Sequence, residues 1–313
     1  MRRASSPMSA APRNPSNVPA ILLQGEPGSL DGRALRSRRG LRRFVRRHPT
    51  ICLGAGIIAV MIGLALAAPL FAGDALSMDP SRRLQAPSAA LWFGTDNLGR
   101  DVFARTVFGA RVSLLVGFSV AIGAVLGGLI IGLVAGYSRR FDGAVMRVMD
   151  GLMAMPSILL AIALVSLTHG GVGVVIVAIV VPEVPRAVRL VRSVVLGARE
   201  QPYVEAAVAG GARTGTILVR HILPSTIAPL VVQATYVCAN AILTEAGLSF
   251  LGAGIPPEIP SWGNMISSSR LFLGIAPWTV FAPGICLTVV VLAVNLLGDG
   301  MRDLLDPRLA RKF

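Results

Sequence analysis

Three carboxylates lie beside long uncharged runs and are the first candidates for chemistry in this chain. Burying a charge in hydrocarbon costs on the order of a few kcal/mol, so such groups usually have a partner or a function. Asp150 is three residues from Arg147, and Glu183 is three residues from Arg186. These spacings favour structural ion pairs on one helix face. Glu245 has no nearby cation in the sequence; it either lines a water-filled passage or reaches the membrane interface.

A row of arginines follows the second of these carboxylates. Arg186, Arg189 and Arg192 occupy every third position, a pattern that resembles a voltage-sensing helix. The row leads directly into a polar loop, and arginines at the end of a span normally extend to the headgroups. We therefore interpret it as an anchor at the membrane interface.

The other reactive residue types do not form sites. Cys52, Cys238 and Cys286 lie separately in apolar runs without a CxxC pair, and the three histidines are scattered along the chain. No GxxxxGK[ST] sequence occurs, so the sequence has no P-loop for ATP. The apolar runs contain no Ser/His, HExxH or paired-aspartate arrangement, which excludes an intramembrane enzyme. We expect no metal, no cofactor and no catalysis on this chain.

These groups must be positioned by membrane-spanning helices. Hydrophobic residues make up 53% of the chain, and its uncharged runs reach the roughly 20 residues that cross a bilayer, which excludes a soluble globular protein. The runs do not alternate, so a β-barrel is disfavoured. The 34 glycines and 21 prolines favour closely packed, kinked helices. We predict an all-α fold with six spans, near residues 50–72, 110–137, 146–168, 172–194, 224–246 and 277–298.

The basic residues predict the orientation of these spans. With the N-terminus inside, 24 of the 30 Lys and Arg residues face the cytoplasm. Because positive charge is retained on that side, both termini are expected to be cytoplasmic. The net charge of +14 does not indicate nucleic acid, since the arginines are not interleaved with aromatics; those before the first span suit anionic lipid. The tail 1–35 is predicted to be disordered and not a cleaved signal.

The stretch 198–224, between the fourth and fifth spans, is the most informative one. Glu205, Ala206 and Ala207 favour a short helix, and the glycine pair that ends at Gly211 permits a sharp turn. A short cytoplasmic helix suits docking to a partner. An amphipathic segment that lies on the bilayer surface is the alternative, and the residues leave both open.

This stretch resembles the EAA loop of binding-protein-dependent ABC importer permeases, whose short helix inserts into a cleft on the ATPase subunit. The resemblance rests on the Glu-Ala-Ala sequence, a glycine four residues later, and an Ile-Leu-Pro sequence preceded by histidine, as in the peptide-importer variant. Val208 and Gly210 replace the Arg and Leu of the common pattern. The resemblance implies an ATPase-coupling site made of Tyr203, Glu205, Ala206, Ala207, Gly211, His221, Ile222, Leu223 and Pro224.

Three further segments, 93–118, 248–265 and 295–308, resemble the second permease subunit of the dipeptide/oligopeptide/nickel class. Together the resembling segments cover most of the chain. They imply a type I ABC importer permease fold with four parts. These are a disordered cytoplasmic tail (1–35), a basic anchor with the first span and an outer loop (36–109), a five-helix permease domain (110–299) and a cytoplasmic tail (300–313).

Two stretches that are predicted to lie outside the membrane are irregular. Glycine, asparagine and aspartate make 93–101 rich in turns. We expect the arginines of this region at the outer headgroups: Arg100, Arg105 and Arg111. The stretch 253–263 contains three prolines and cannot be one helix. Its Trp262 is expected at the interface, where it caps the passage together with Glu245 or contacts a delivery protein, unless the loop is only structural.

The resemblance implies a permease subunit that forms half of the translocation pathway of an ATP-driven importer in the bacterial inner membrane. The implied partners are a homologous second permease, two ABC ATPase subunits that bind ATP and Mg, and an extracytoplasmic substrate-binding protein. Dipeptides or oligopeptides are the expected substrates, with glutathione or a nickel complex as the alternative. An autonomous secondary transporter would need coupling groups at the bilayer midplane and paired repeats; the sequence contains neither.

Overall fold

The helices of the chain begin and end close to the predicted apolar runs. The computed structural model describes residues 45–168 and 170–305, and these contain helices and one isolated bridge, between Thr95 and Asp101, but no strand. The predicted tail 1–35 and the end of the tail 300–313 lie outside the described residues. The helices are α1 (Pro49–Phe71), α2 (Val102–Tyr137), α3 (Arg139–Met153), α4 (Ser157–Ser166), α5 (Val172–Arg199), α6 (Pro202–Ala209), α7 (Thr214–Phe250), α8 (Trp262–Ser269) and α9 (Trp278–Leu305).

Four of the described helices, α1, α2, α7 and α9, are long and apolar enough to cross a membrane. A fifth span exists only if α3 and α4, bent by 88°, count as one. The third span, predicted near 146–168, is therefore not one continuous helix. Pro156 interrupts it, because proline has no N–H to continue a helix. α5 begins at Val172, where the fourth span was predicted, but its charged residues separate it from the four apolar helices.

Close packing of α2 against α5 forms the centre of the bundle. Glycines recur at every fourth position near the end of α2 and face branched side chains of α5. A Cβ atom at Gly132 would lie 2.7 Å from Cβ of Val191, and one at Gly136 would lie 2.7 Å from Cβ of Val195. Only residues without a side chain allow two helices to approach so closely. This is the kind of packing that the glycine-rich composition predicted.

The remaining long helices surround this pair. α7 packs against α2, α5 and α9, and α9 also packs against α1. Their shared core consists of buried aliphatic side chains, among them Ile58, Val120, Ile179, Ile242 and Val290. Prolines lie inside several of the helices, at Pro69, Pro182, Pro185, Pro229 and Pro283. A closely packed helix bundle with interior prolines fits a membrane protein better than a soluble one.

α2 begins at Val102, eight residues before the predicted span. Its start is fixed by Asp101, whose side chain accepts a hydrogen bond of 2.8 Å from the N–H of Phe103. Such capping satisfies one of the free N–H groups of the first helical turn. The preceding segment, 72–101, is also tied to α9, because the indole N–H of Trp278 donates to the carbonyl of Thr95 at 3.3 Å.

Asp96 forms ion pairs with two arginines in the interior of this segment. Nε of Arg100 lies 2.7 Å from the Asp96 carboxylate and Nε of Arg105 lies 3.8 Å from it; all three side chains are buried. The expectation that Arg100 and Arg105 reach the outer headgroups is therefore wrong, because a carboxylate within the fold compensates their charges. Arg111, further along α2, is exposed.

Candidate functional site

The stretch 198–224 contains the short helix that its sequence predicted. α5 ends at Arg199 and α6 begins at Pro202, a position where the missing N–H of proline costs no helical hydrogen bond. Val204 is 2% exposed and fixes α6 to the bundle. It belongs to a buried cluster with Val191, Val195, Ala198, Ile217, Ile222 and Leu230. The opposite face of α6 is exposed.

A sharp turn ends α6 and confirms the prediction made from the glycine pair. Gly211 has a φ of +77°, a conformation that glycine adopts at low cost. Its N–H donates to the carbonyl of Val208 at 3.0 Å, and the N–H of Ala212 donates to the carbonyl of Ala207 at 3.0 Å. This pair of hydrogen bonds is a Schellman motif. The turn therefore stops α6 with the carbonyls of Ala207 and Val208 satisfied.

The exposed face of α6 combines small, aromatic and acidic side chains. Its predicted site residues are Tyr203, Glu205 and Ala206, which are exposed, and Ala207, which is half-buried. Val208 adds an apolar side chain that is 55% exposed. The rings of Tyr203 and His221 lie 6.4 Å apart, so the start of α7 borders the same surface. Such a face has no groups arranged for catalysis and suits contact with another protein.

A π turn, Ile217–Ile222, lies at the start of α7. The N–H of Leu223 donates to the carbonyl of Leu218, five residues earlier, and Pro224 follows without an N–H of its own. Ile222 is fully buried, whereas Pro224 is exposed. Of the predicted site, Ile222 thus holds the segment in place through the buried cluster. The sequence reasoning did not single out Val204 or the π turn.

Glu183 and Arg186 form the ion pair that their spacing predicted. Nη1 of Arg186 lies 3.0 Å from one carboxylate oxygen of Glu183 and 3.2 Å from the other. Glu183 is 2% exposed, and its carboxylate also accepts a hydrogen bond of 2.7 Å from the side-chain amide of Asn240. This cluster links α5 to α7 through buried polar groups.

The other two arginines of the row pair with carboxylates of α3. Nη2 of Arg189 lies 2.5 Å from Asp150, so the predicted pairing of Asp150 with Arg147 is wrong. The cause is the direction of α3, which runs alongside α5 before its bend. Arg192 donates to Asp142 through Nε and Nη2, at 2.5 and 2.7 Å. The row therefore joins two helices, whereas the sequence favoured an anchor at the headgroups.

Glu245 is fully buried near the end of α7. One carboxylate oxygen accepts hydrogen bonds of 2.9 Å from the hydroxyls of Ser249 and Ser261. The other oxygen is buried without a hydrogen-bond partner among the described residues. Glu245 thus ties α7 to the loop 251–261. Its predicted role at a passage or an outer gate stays a prediction.

Trp262 is also fully buried, although the sequence suggested an interfacial position. Its indole N–H donates to the carbonyl of Thr106 at 2.9 Å, and its ring lies beside Gly109, where a Cβ atom would come within 3.3 Å of it. The residues before it, 251–261, form no helix, as their prolines predicted. Burial of the indole against α2 explains the difference, and a role for Trp262 at the gate stays a prediction.

Comparison with known proteins places these features in context. Residues 124–311 match the family described as binding-protein-dependent transport system inner membrane component. The chain is similar to a probable peptide ABC transporter permease protein, y4tQ, of Sinorhizobium fredii, with 66% identity over 86% of this chain and 93% of the relative. It is also similar to the dipeptide transport system permease protein DppC of Alkalihalophilus pseudofirmus, with 45% identity over 85% and 88%.

A glutathione transport system permease protein, GsiD of Pectobacterium atrosepticum, is 41% identical over 86% of this chain and 90% of its own length. Among solved structures, the inward-facing MetNI methionine ABC transporter superposes with a TM-score of 0.54 at 21% identity, over 65% of this chain and 97% of that chain. This likeness shows the fold of the permease core. The part of the chain without a counterpart there includes about a third of its residues.

Proposed function

Because the chain belongs to the family of binding-protein-dependent transport system inner membrane components, we propose that it forms half of the translocation pathway of an ATP-driven peptide importer. It is a multi-pass membrane permease subunit and not the catalytic subunit of the importer. Two relatives that cover most of the chain are named as peptide or dipeptide permeases, which supports peptides as the substrate. A glutathione permease among the relatives keeps this modified tripeptide as the alternative.

Six spans are part of this proposal. Four apolar helices and the bent pair α3–α4 provide five, and α5, with 28 residues, is long enough to cross as the sixth. At 1.5 Å per residue its length is about 42 Å, more than the roughly 30 Å of a hydrocarbon core. Its three inner arginines do not prevent this, since each has a carboxylate partner, and the fourth, Arg199, is the last residue of the helix. The distribution of Lys and Arg supports cytoplasmic termini.

The exposed face of α6 is the observation that carries the coupling role. We propose that α6 docks into a cleft of an ABC ATPase and transmits its closure to α5 and α7 as a rigid-body movement. The anchor at Val204 supports this role, because a helix that is fixed to the bundle can transmit a displacement. The full importer would contain a homologous second permease, two ATPases that bind ATP and Mg, and an extracytoplasmic substrate-binding protein.

Labelling of introduced cysteines tests the orientation. Ser88 and Ala209 are both exposed and lie in the two regions that the proposal places on opposite sides. In a chain whose native cysteines are replaced by serine, we expect a membrane-impermeant thiol reagent to label Ser88→Cys in intact cells. Ala209→Cys should react only after permeabilisation. The reverse pattern would overturn the proposed orientation.

Two substitutions test the coupling role. Gly211→Val places a β-branched residue at φ +77°, at a cost of about 1–2 kcal/mol, and Ala207→Trp enlarges the docking face. Both variants should reach the membrane at normal levels but lose association with the ATPases and peptide uptake. Gly143→Val and Ala144→Trp, at exposed positions of α3, are the matched controls and should retain both. Normal uptake with bound ATPases in the first two variants would remove α6 as the coupling helix.

A further inference from the structure

A cavity lies where α3 and α4 meet at their bend and faces α5. Its volume is about 340 Å³. Two of its methionines are 39% and 48% exposed, so the cavity opens at the surface of the chain. The lining residues that matter are Met153, Met155, Pro156, Ser157, Pro182 and Arg186. The cavity is therefore lined by residues on both sides of the bend, which the sequence did not predict.

Arg186 is the one charged residue of this lining. It lies in the middle of the 28-residue helix α5, where an ionisable group is a functional candidate by default. Its two hydrogen bonds among the described residues both come from Nη1 and go to Glu183. A guanidinium group has five N–H donors in a rigid fork. Nε and Nη2 thus remain for a ligand. Glu183, which accepts a hydrogen bond from Asn240, holds the guanidinium group through Nη1.

The neighbouring arginines of the row differ in this respect. Arg192 uses both Nε and Nη2 on Asp142, and Arg189 donates to Asp150; neither lines the cavity. The side chain of Arg186 is 38% exposed although its carboxylate partner is 2% exposed. Arg186 is thus held in place on one side and accessible on the other. This arrangement suits bidentate recognition of a carboxylate from the cavity.

The rest of the lining suits a ligand whose remaining parts vary. Met153 and Met155 are flexible and polarisable, and methionines are common at surfaces that accept ligands of different shape. Peptides share a terminal carboxylate and differ in their side chains. The volume is near the lower end of the roughly 300–1,000 Å³ of small-molecule sites, which fits a dipeptide or the last residues of a longer peptide.

We propose that this cavity binds the C-terminal carboxylate of a transported peptide and that Arg186 is the residue that contacts it. This inference rests on the proposed function, because it assigns the substrate of that importer to a place in this chain. Glu183 is then a positioning residue that orients the guanidinium group. The methionines contact the peptide side chains and impose little selectivity.

Protection from labelling measures binding at the cavity directly. In the complex of both permeases and the ATPases, with native cysteines replaced by serine, Ser157→Cys is labelled with a thiol reagent at increasing concentrations of dialanine. Dialanine should slow the labelling, and dialanine amide, which lacks the carboxylate, should do so far less. Arg186→Gln should raise the half-protecting concentration about tenfold or more, the change expected for one charge-assisted hydrogen bond. Arg186→Lys should give an intermediate value.

Arg189→Gln is the matched control, since it removes an arginine of the same helix that does not line the cavity. It should leave the half-protecting concentration unchanged. Equal protection by dialanine and its amide, or equal values for Arg186→Gln and the unsubstituted chain, would overturn the proposal. If Arg186→Gln does not assemble, the comparison of dialanine with its amide and the Arg186→Lys variant still decide. Met155→Cys reports on the same cavity if Ser157→Cys does not assemble.

Uptake into proteoliposomes separates this inference from the proposed function. The complete importer with its binding protein is supplied with labelled dialanine and ATP. If the unsubstituted importer takes up no peptide, peptide import itself is wrong. If it takes up dialanine while labelling at Ser157→Cys is unaffected by the peptide, the importer stands and the assignment to this cavity fails.

Discussion

The two ends of the α2–α5 pair are stabilised in different ways. At the polar end, formed by 72–101 and 251–261, charged and hydrogen-bonding side chains are directed inward: Asp96, Arg100 and Arg105 in one cluster and Glu245 with its two serines in another. At the hairpin end, formed by 201–224, the anchors are aliphatic and the polar side chains face outward. The hairpin end thus leaves its polar side chains on the surface, whereas the polar end pairs most of its charged side chains within the fold.

This difference changes how the sequence resemblance should be interpreted. Segments from both ends resemble the same family, and by sequence alone each could have been a binding surface. At the polar end the resembling residues hold the fold together, since Trp262 is buried and Arg105 is 2% exposed. At the hairpin end Tyr203 and Glu205 are exposed. Residues of a family motif can therefore lie in the packed interior, as Trp262 does, or on the surface, as Tyr203 does.

The largest effect should follow from removing the carboxylate at the centre of the polar end. Asp96→Ala leaves Arg100 and Arg105 buried without their partner, and breaking a buried ion pair costs about 3–5 kcal/mol. We expect a low membrane level and a lower unfolding temperature in detergent. Asp79→Ala, which removes an exposed pair with Arg82 and a capping hydrogen bond from Ser81, is the control and should lose less stability than Asp96→Ala. Equal stability of the two variants would contradict the role assigned to Asp96.

An intermediate effect is expected at Trp262. Trp262→Phe keeps an aromatic ring but removes the indole N–H and leaves the carbonyl of Thr106 short of a buried hydrogen bond. The expected loss of stability is about 1–3 kcal/mol, measured by thermal unfolding in detergent. Trp92→Phe is the control, because Trp92 is 65% exposed. If both variants lose the same stability, burial of the indole does not stabilise the polar end.

Much of the architecture could be predicted because it depends on local patterns. Uncharged runs predicted the starts of α1, α5 and α9 to within one residue, whereas α7 begins ten residues before its predicted span. The glycine pair predicted the turn at Gly211. The ion pair of Glu183 with Arg186 could be predicted for the same reason, since the two residues are one helical turn apart. Each of these features is determined by residues that are close in the sequence.

The remaining features depend on contacts between distant residues. Asp150 pairs with Arg189, 39 positions away, because α3 runs beside α5, and that direction is set by the bend of 88° at Pro156. An uncharged run does not distinguish a straight span from a bent one, since prolines also occur inside α5 and α7. The pairing of Asp96 with Arg105 depended in the same way on the fold of 72–101, which has no periodic pattern.

The smallest effect is expected at two valines of α6, whose difference in burial the sequence pattern does not predict. Val204 and Val208 are four residues apart and would share a helix face, yet Val204 is 2% and Val208 55% exposed, because only the first turn of α6 reaches the cluster around Ile217. Val204→Ala removes two buried methyl groups, at a cost of about 1.5 kcal/mol in local stability.

Since the anchor acts locally, hydrogen exchange at the amides of 202–212 should become faster while the unfolding temperature in detergent changes little. Val208→Ala should leave that exchange unchanged and weaken ATPase association instead. If the two variants exchanged at the same rate, the anchor of the hairpin end would have to lie elsewhere than at Val204.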